Sequence, residues 1–187
     1  MKAYMLRMFS LVVLGIITTL FATCDKIDEL DDVDFDAPLE GSINVNAPSA
    51  GTNVPYSDVI ILDAMTDPDI NEYASKIKSF TINSIRYQII SYDGPADALF
   101  SGTIAFGEAF QSTASVFATI DNFDLQQAYT TGQIFDLTFS PADITTIQNF
   151  LLNDKAVNIY LDGSLSETPL YCTIKIYLDV TVKADAL

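Results

Sequence analysis

From residue 170 to 182 apolar and polar side chains alternate without a break. Leu170, Cys172, Ile174, Ile176, Leu178, Val180 and Val182 stand against Tyr171, Thr173, Lys175, Tyr177, Asp179 and Thr181. A period of two collects the apolar set on one face of a β-strand, whereas a period of 3.6 would scatter it around a helix. Residues 156–165 repeat the rhythm through Val157, Ile159 and Leu161. Ser166-Glu167-Thr168-Pro169 between the two runs is turn chemistry, so together they predict a C-terminal hairpin. Residues 79–92 are rich in β-branched and aromatic side chains. Their apolar phase shifts from Phe80 and Ile82 to Ile85, Tyr87 and Ile89, as one extra residue in a β-bulge near Asn83-Ser84 would cause. Further strands are predicted over 41–46, 58–62, 99–106, 115–123 and 133–139, separated by stretches rich in Gly, Ser, Asp and Pro.

Two short helices interrupt this pattern. Asp67 is a capping residue followed by Pro68, with Ile70, Tyr73, Ala74 and Ile77 as an apolar stripe. Ser140-Pro141-Ala142-Asp143 pairs a cap with an acid three residues on, ahead of Ile144, Ile147 and Leu151. Both starts use the residues that any helix start prefers, so their likeness implies no internal repeat. Many strands with few short helices predict an all-β fold: a mainly antiparallel β-sandwich, with an immunoglobulin-like arrangement as one form of it. A closed barrel is the alternative.

The first residues break from the alternation altogether. Lys2 and Arg7 precede a 16-residue uncharged, mostly apolar run over 8–23, shorter than the roughly 20 residues that a spanning helix needs. That is the layout of an export signal, with an uncleaved anchor as the alternative. Leu20-Phe21-Ala22-Thr23-Cys24 resembles the signal box of a Bacteroidota-type outer-membrane lipoprotein. It departs from the usual box at Phe21 and Thr23. The resemblance implies that Cys24 is acylated and becomes the first residue of the mature chain; ordinary secretion after Ala22 is the other reading. Next come Asp25, Asp28, Glu29, Asp31, Asp32, Asp34, Asp36 and Glu40 against the single cation Lys26. Such a block repels itself and stays solvated, and it resembles the acidic stretch that sends some of these lipoproteins to the cell surface. The expected organisation is a signal peptide over 1–23, a flexible acidic spacer over 24–40 and one β-sandwich domain over 41–187.

Charge narrows the partners. The chain has 25 acids, 9 cations and no histidine, and loss of Lys2 and Arg7 takes the net charge from −16 to −18. A field of that sign disfavours nucleic acid. About 150 residues suffice for one domain with a real core. If lipidation uses Cys24, Cys172 has no disulfide partner, so packing alone must hold the fold.

Without histidine there is no Ser-His-Asp or Cys-His arrangement and no imidazole metal ligand. Cys172 falls on an apolar phase and is expected to be a buried, inert thiol. Asp63, Asp67, Asp69 and Glu72 offer oxygen ligands for Ca²⁺ within ten residues, although their spacing is not that of an EF-hand and helix capping accounts for several of them. Tyr160, Tyr171 and Tyr177 lie on the polar phase of the C-terminal strands with Lys175 among them. They form a candidate partner surface, unless a helix covers them as a second core layer. No cofactor is implied. The expected function is a non-enzymatic binding or structural module at the envelope, held to the membrane by lipid and meeting an envelope protein or a glycan. The alternative is an extracytoplasmic hydrolase working through paired carboxylates.

Overall fold

The computed structural model describes residues 32–186, so the expected signal segment, Cys24 and residues 25–31 lie outside the described residues. Asp34–Ala184 form one compact unit; the other, Met1–Val33 with Asp185–Leu187, falls almost wholly outside the description.

The alternating C-terminal sequence builds the organising strand. β6 (Ala156–Asp185) buries all seven apolar positions from Leu170 to Val182. Its first half, Val157 to Leu165, pairs antiparallel with β3 (Leu99–Glu108). Its second half, Tyr171 to Ala184, pairs antiparallel with β2 (Ile77–Asp93). The predicted hairpin is therefore corrected: residues 156–165 and 170–182 are successive halves of one strand, each paired elsewhere. Ser166 to Pro169 form a corner instead of a reversal. Pro169 lacks an N–H for the ladder, and the buried phase changes there from Leu161 and Leu165 to Thr168 and Leu170.

β1 (Asp32–Asp63) follows β6 on its other side and turns the same corner. Thr181 Oγ1 donates to Asp36 Oδ1 at 2.6 Å and Lys175 Nζ meets Glu40 Oε2 at 2.6 Å. Thr168 Oγ1 donates to the Ser49 carbonyl at 2.6 Å, Ser57 Oγ to Asp162 Oδ1 at 2.5 Å, and the Ala64 N–H to the Lys155 carbonyl at 2.8 Å. The two halves of β1 then lie face to face, for a Cβ on Gly41 would come within 2.8 Å of Ile60 Cδ1. One sheet thus reads first half of β1, second half of β6, β2 and β5 (Ile134–Asp136); the other reads second half of β1, first half of β6, β3 and β4 (Val116–Asp124). Strands that switch sheets at corners, in this order, make a jelly roll. The predicted antiparallel β-sandwich is present, but the immunoglobulin-like arrangement, in which each strand belongs to one sheet, is not.

Other expectations shift at their ends. The bulge falls between Ile82 and Ser84, as the phase change predicts. The spacer expected over 24–40 is corrected from Asp32 onward: Ala37 is 2% exposed and Leu39 3%, inside β1. Its acids alternate with Val33, Phe35, Ala37 and Leu39, so the charges line the solvated face and protect an edge strand. Three α-helices occur among the described residues rather than two. α1 (Pro68–Glu72) stops before Tyr73, so Ile77 starts β2, and α3 (Pro141–Asp154) buries Ile147 and Leu151. The unexpected α2 (Leu125–Thr131) is capped by Asp124, which accepts the Gln127 N–H at 2.7 Å, and ends at Gly132 with φ of 62°. It carries only two buried residues, too few for a readable stripe, and it leaves β5 much shorter than the strand expected over 133–139.

Candidate functional site

The three tyrosines of the predicted partner surface do not share one surface. Tyr171 and Tyr177 belong to the second half of β6 and Tyr160 to the first half, in the other sheet. Tyr177 donates to Gln88 Oε1 at 2.8 Å, with Lys175 Nζ 5.0 Å and the Arg86 guanidinium 5.8 Å from its ring centre. Arg86 in turn meets Asp179 at 2.6 Å, so Tyr177 belongs to a self-contained polar lattice. Tyr171 is exposed beside Asp93, Gly94 and Pro95.

Tyr160 sits in a different setting. Register places Phe117 opposite Ala105 and Ala105 opposite Tyr160, and Val59 lines the same hollow as Tyr160. An apolar row thus crosses the outer face of the second sheet. Ile61 and Phe110 extend it, and Phe110 (79% exposed) and Phe117 (59%) stand furthest into solvent. The hollow between Val59, Ile61, Phe110 and Tyr160 measures about 480 Å³. Its wall is the loop after β3, held by Asn158, whose Nδ2 donates to the Glu108 carbonyl at 3.1 Å and the Gln111 carbonyl at 2.8 Å. Tyr160 Oη donates to the same Gln111 carbonyl at 2.7 Å. Gly107 permits the close approach, because a Cβ there would lie 2.6 Å from the Thr113 carbonyl.

A second cleft opens along the seam of the sandwich, where β4 ends one sheet and β5 the other. It measures about 420 Å³ and is lined by β4 from Phe117 to Asp121, by Phe123, by Asp136 to Thr138, and by Tyr87. Tyr87 packs between Phe123 (5.4 Å) and Phe135 (5.3 Å), and those two rings meet at 4.9 Å. Burial pushes the Tyr87 phenol up to about 12. Asp121 and Asp136 place one carboxylate on each flanking strand. The sequence hides this cleft because Tyr87 keeps the apolar phase of β2 and reads as core; only the position of two sheet edges brings it together with Asp121 and Asp136.

The calcium candidates do not assemble. Asp63 Oδ1 accepts the Met65 N–H at 2.8 Å, and Asp67 Oδ1 accepts those of Asp69 and Ile70 at 3.0 and 3.1 Å. Asp63 caps the single 3-10 turn Ala64–Thr66 and Asp67 caps α1, and among the described residues no three acidic, cysteine or histidine side chains converge as a metal would require. Cys172 is buried and free, its thiol pushed up to about 12 by burial, which leaves almost no thiolate to react. Among the described residues no helix is long and apolar enough to cross a membrane.

The molecule is thus a jelly-roll β-sandwich with an apolar outer face and an acidic seam cleft. No family model matches the chain, and no curated protein does. Among solved structures it is similar to that of Desmodium yellow mottle tymovirus, at 7% identity over 83% of this chain and 84% of that one, with a TM-score of 0.39. The decameric BFDV capsid protein gives 12% identity over 80% and 99% of the two chains, with a TM-score of 0.44. Turnip yellow mosaic virus gives 7% over 83% and 96%, with a TM-score of 0.37. Likenesses at this level carry no weight for function, and the fold assignment stands on the strand order itself.

Proposed function

We propose that this protein is an envelope lipoprotein, anchored in the outer membrane through acylated Cys24 and displayed at the cell surface, whose domain works by binding another envelope protein rather than by catalysis. The observation that carries the binding reading is the exposed apolar face built from Val59, Ile61, Phe110 and Phe117 around Tyr160. Contiguous apolar surface of this kind marks interaction sites, and rigid aromatic side chains make good anchors. Asp63, Glu108 and Asp162 lie on the elements around it, which suits a partner with a cationic rim. The anchor reading rests on the charged start, the apolar run and Cys24 at its end. Acidic residues 25–31 would then serve as the remaining spacer.

The test is site-specific photocrosslinking in the native membrane. A crosslinker at Val59 should give one discrete adduct that Phe110→Asp abolishes, while a crosslinker at Thr81 in the first sheet should give none. Equal adducts from both positions would end the assignment of the outer face. A second reading, a carboxylate-based hydrolase, is favoured by Asp121 and Asp136 lining one cleft. It requires that Asp121→Asn and Asp136→Asn each abolish turnover of a glycan substrate.

A further inference from the structure

We infer that the seam cleft between β4 and β5 is a binding site for a neutral saccharide, touching the apolar outer face only at Phe117. Tyr87 is the first observation. The side chain is only 6% exposed and lines the cleft, yet among the described residues no group shares a hydrogen bond with its hydroxyl. A phenylalanine would pack equally well between Phe123 and Phe135, so the hydroxyl is not needed for packing. The ring is buried but its hydroxyl opens onto the cleft, so water meets it in the free protein and a ligand hydroxyl can take that water's place.

The rest of the lining defines what that ligand must be. Asp121 and Asp136 are acceptors only when ionised, and the Thr119 and Thr138 hydroxyls add two groups that both donate and accept. β4 and β5 are the last strands of their sheets, so their outward backbone groups add further donors and acceptors. Such a surface favours a ligand dense in O–H donors. Phe117 at the rim offers an exposed ring for the C–H face of a sugar. The volume, about 420 Å³, lies in the ordinary range for small-ligand clefts. Two carboxylates, on a chain of net charge −16, repel phosphorylated and uronic sugars.

An extended peptide adding to the β4 edge is the competing occupant. Residues 120–123 of β4 span the same register as Phe100 to Gly102 of β3, which puts an extra residue beside Asn122, where φ is 48°. That bulge bends the edge out of the straight line a pairing strand needs. It also lies next to Asp121, one of the cleft's two acids.

The test uses the full mature lipoprotein in detergent against an array of neutral oligosaccharides, with uronic-acid oligosaccharides and lysine-rich peptides as comparison arms. Neutral oligosaccharides should be retained and the acidic ones not. Tyr87→Phe and Thr138→Val should each weaken that binding by about tenfold, the loss of roughly one good hydrogen bond, with an unchanged melting temperature. Phe110→Asp should leave it intact, which separates this site from the protein-docking face. Retention of no neutral saccharide, retention of lysine-rich peptides alone, or wild-type affinity in both variants would overturn the inference. Release of a retained saccharide in shortened form would uphold the cleft as its site and overturn the non-enzymatic reading.

Discussion

Among the described residues the two buried polar side chains, Asn158 and Thr168, each donate to two backbone carbonyls, while Asn158 Oδ1 itself has no partner. Asn158, 5% exposed, satisfies two carbonyls of the loop that walls the outer hollow. Asn158→Leu removes both donations, while the Glu108 carbonyl keeps the Gln111 N–H at 3.3 Å and the Gln111 carbonyl keeps Tyr160 Oη at 2.7 Å, so the change should cost about 1 kcal/mol and speed amide exchange over 109–115 while β2 stays protected. Ile176 and Thr181 show the two phases of β6. Ile176 is fully buried, so Ile176→Ala should cost about 2–5 kcal/mol by urea unfolding. Thr181 lies on the outer phase but donates to Asp36 and accepts from Asn83 Nδ2 at 2.9 Å, so Thr181→Ala should cost about 1 kcal/mol. Cys172 adds a pH dependence. Burial raises its thiol from 9.0 to about 12, so above pH 9 the unfolded chain loses a proton that the folded chain keeps. The stability this group contributes is complete below pH 9 and disappears as pH rises toward 12. Tyr56, Tyr87 and Tyr92, each raised from 10.0 to about 12 chiefly by burial, act in the same direction from pH 10. Alkaline unfolding should therefore set in over this window, and Cys172→Ala should flatten its lower end in melts recorded from pH 8 to 11.

Among the elements, β1 departs furthest from its acidic composition. Eight acids between Cys24 and Glu40 look like solvated spacer, yet every second residue from Val33 to Leu39 is apolar, and Ala37 and Leu39 are in the core. A chain beginning at Leu39 loses Ala37, the Phe35 contact with Tyr73 and the Asp36 acceptor. It should melt several degrees below a chain beginning at Asp32, since each kcal/mol lost lowers the midpoint by about 2–4 °C in a domain of this size. Equal midpoints would mean that the first turns of β1 contribute nothing. The corner at Ser166 to Pro169 is the other decisive element. Residues that break a ladder serve a tight reversal and a bend between sheets equally well, so local sequence cannot choose between them. The choice lies with β1, which stays beside both halves of β6.

At the scale of the molecule, the proposed function assigns anchorage to Cys24 and recognition to the folded domain. Cys24→Ala should abolish incorporation of labelled fatty acid and release the protein from membranes, with no change in the melting temperature of the domain. Continued membrane retention and labelling in that variant would remove the lipoprotein reading. The two candidate surfaces meet at Phe117 but otherwise lie apart, one on the outer face of a sheet and one on its seam, so variants at Phe110 and Tyr87 should be independent.

Periodicity, with helix-cap chemistry, located most of the strand segments, the bulge near Asn83, two of the helices and the sandwich, because burial on one face imposes a period of two wherever the chain is extended. It also made Cys172 a core residue, while the composition, with no histidine among these 187 residues, offers no imidazole for catalysis within them. Only the tertiary structure decided that the last two strand runs are one bent strand, and that Tyr160 stands apart from Tyr171 and Tyr177. It alone brought Tyr87, Asp121 and Asp136, 15 or more positions apart in the chain, to one cleft. The physical reason is the same in each case. Local sequence fixes which face of a strand meets the core, whereas strand order and the sheet edges it leaves open come from pairings between segments far apart in the chain.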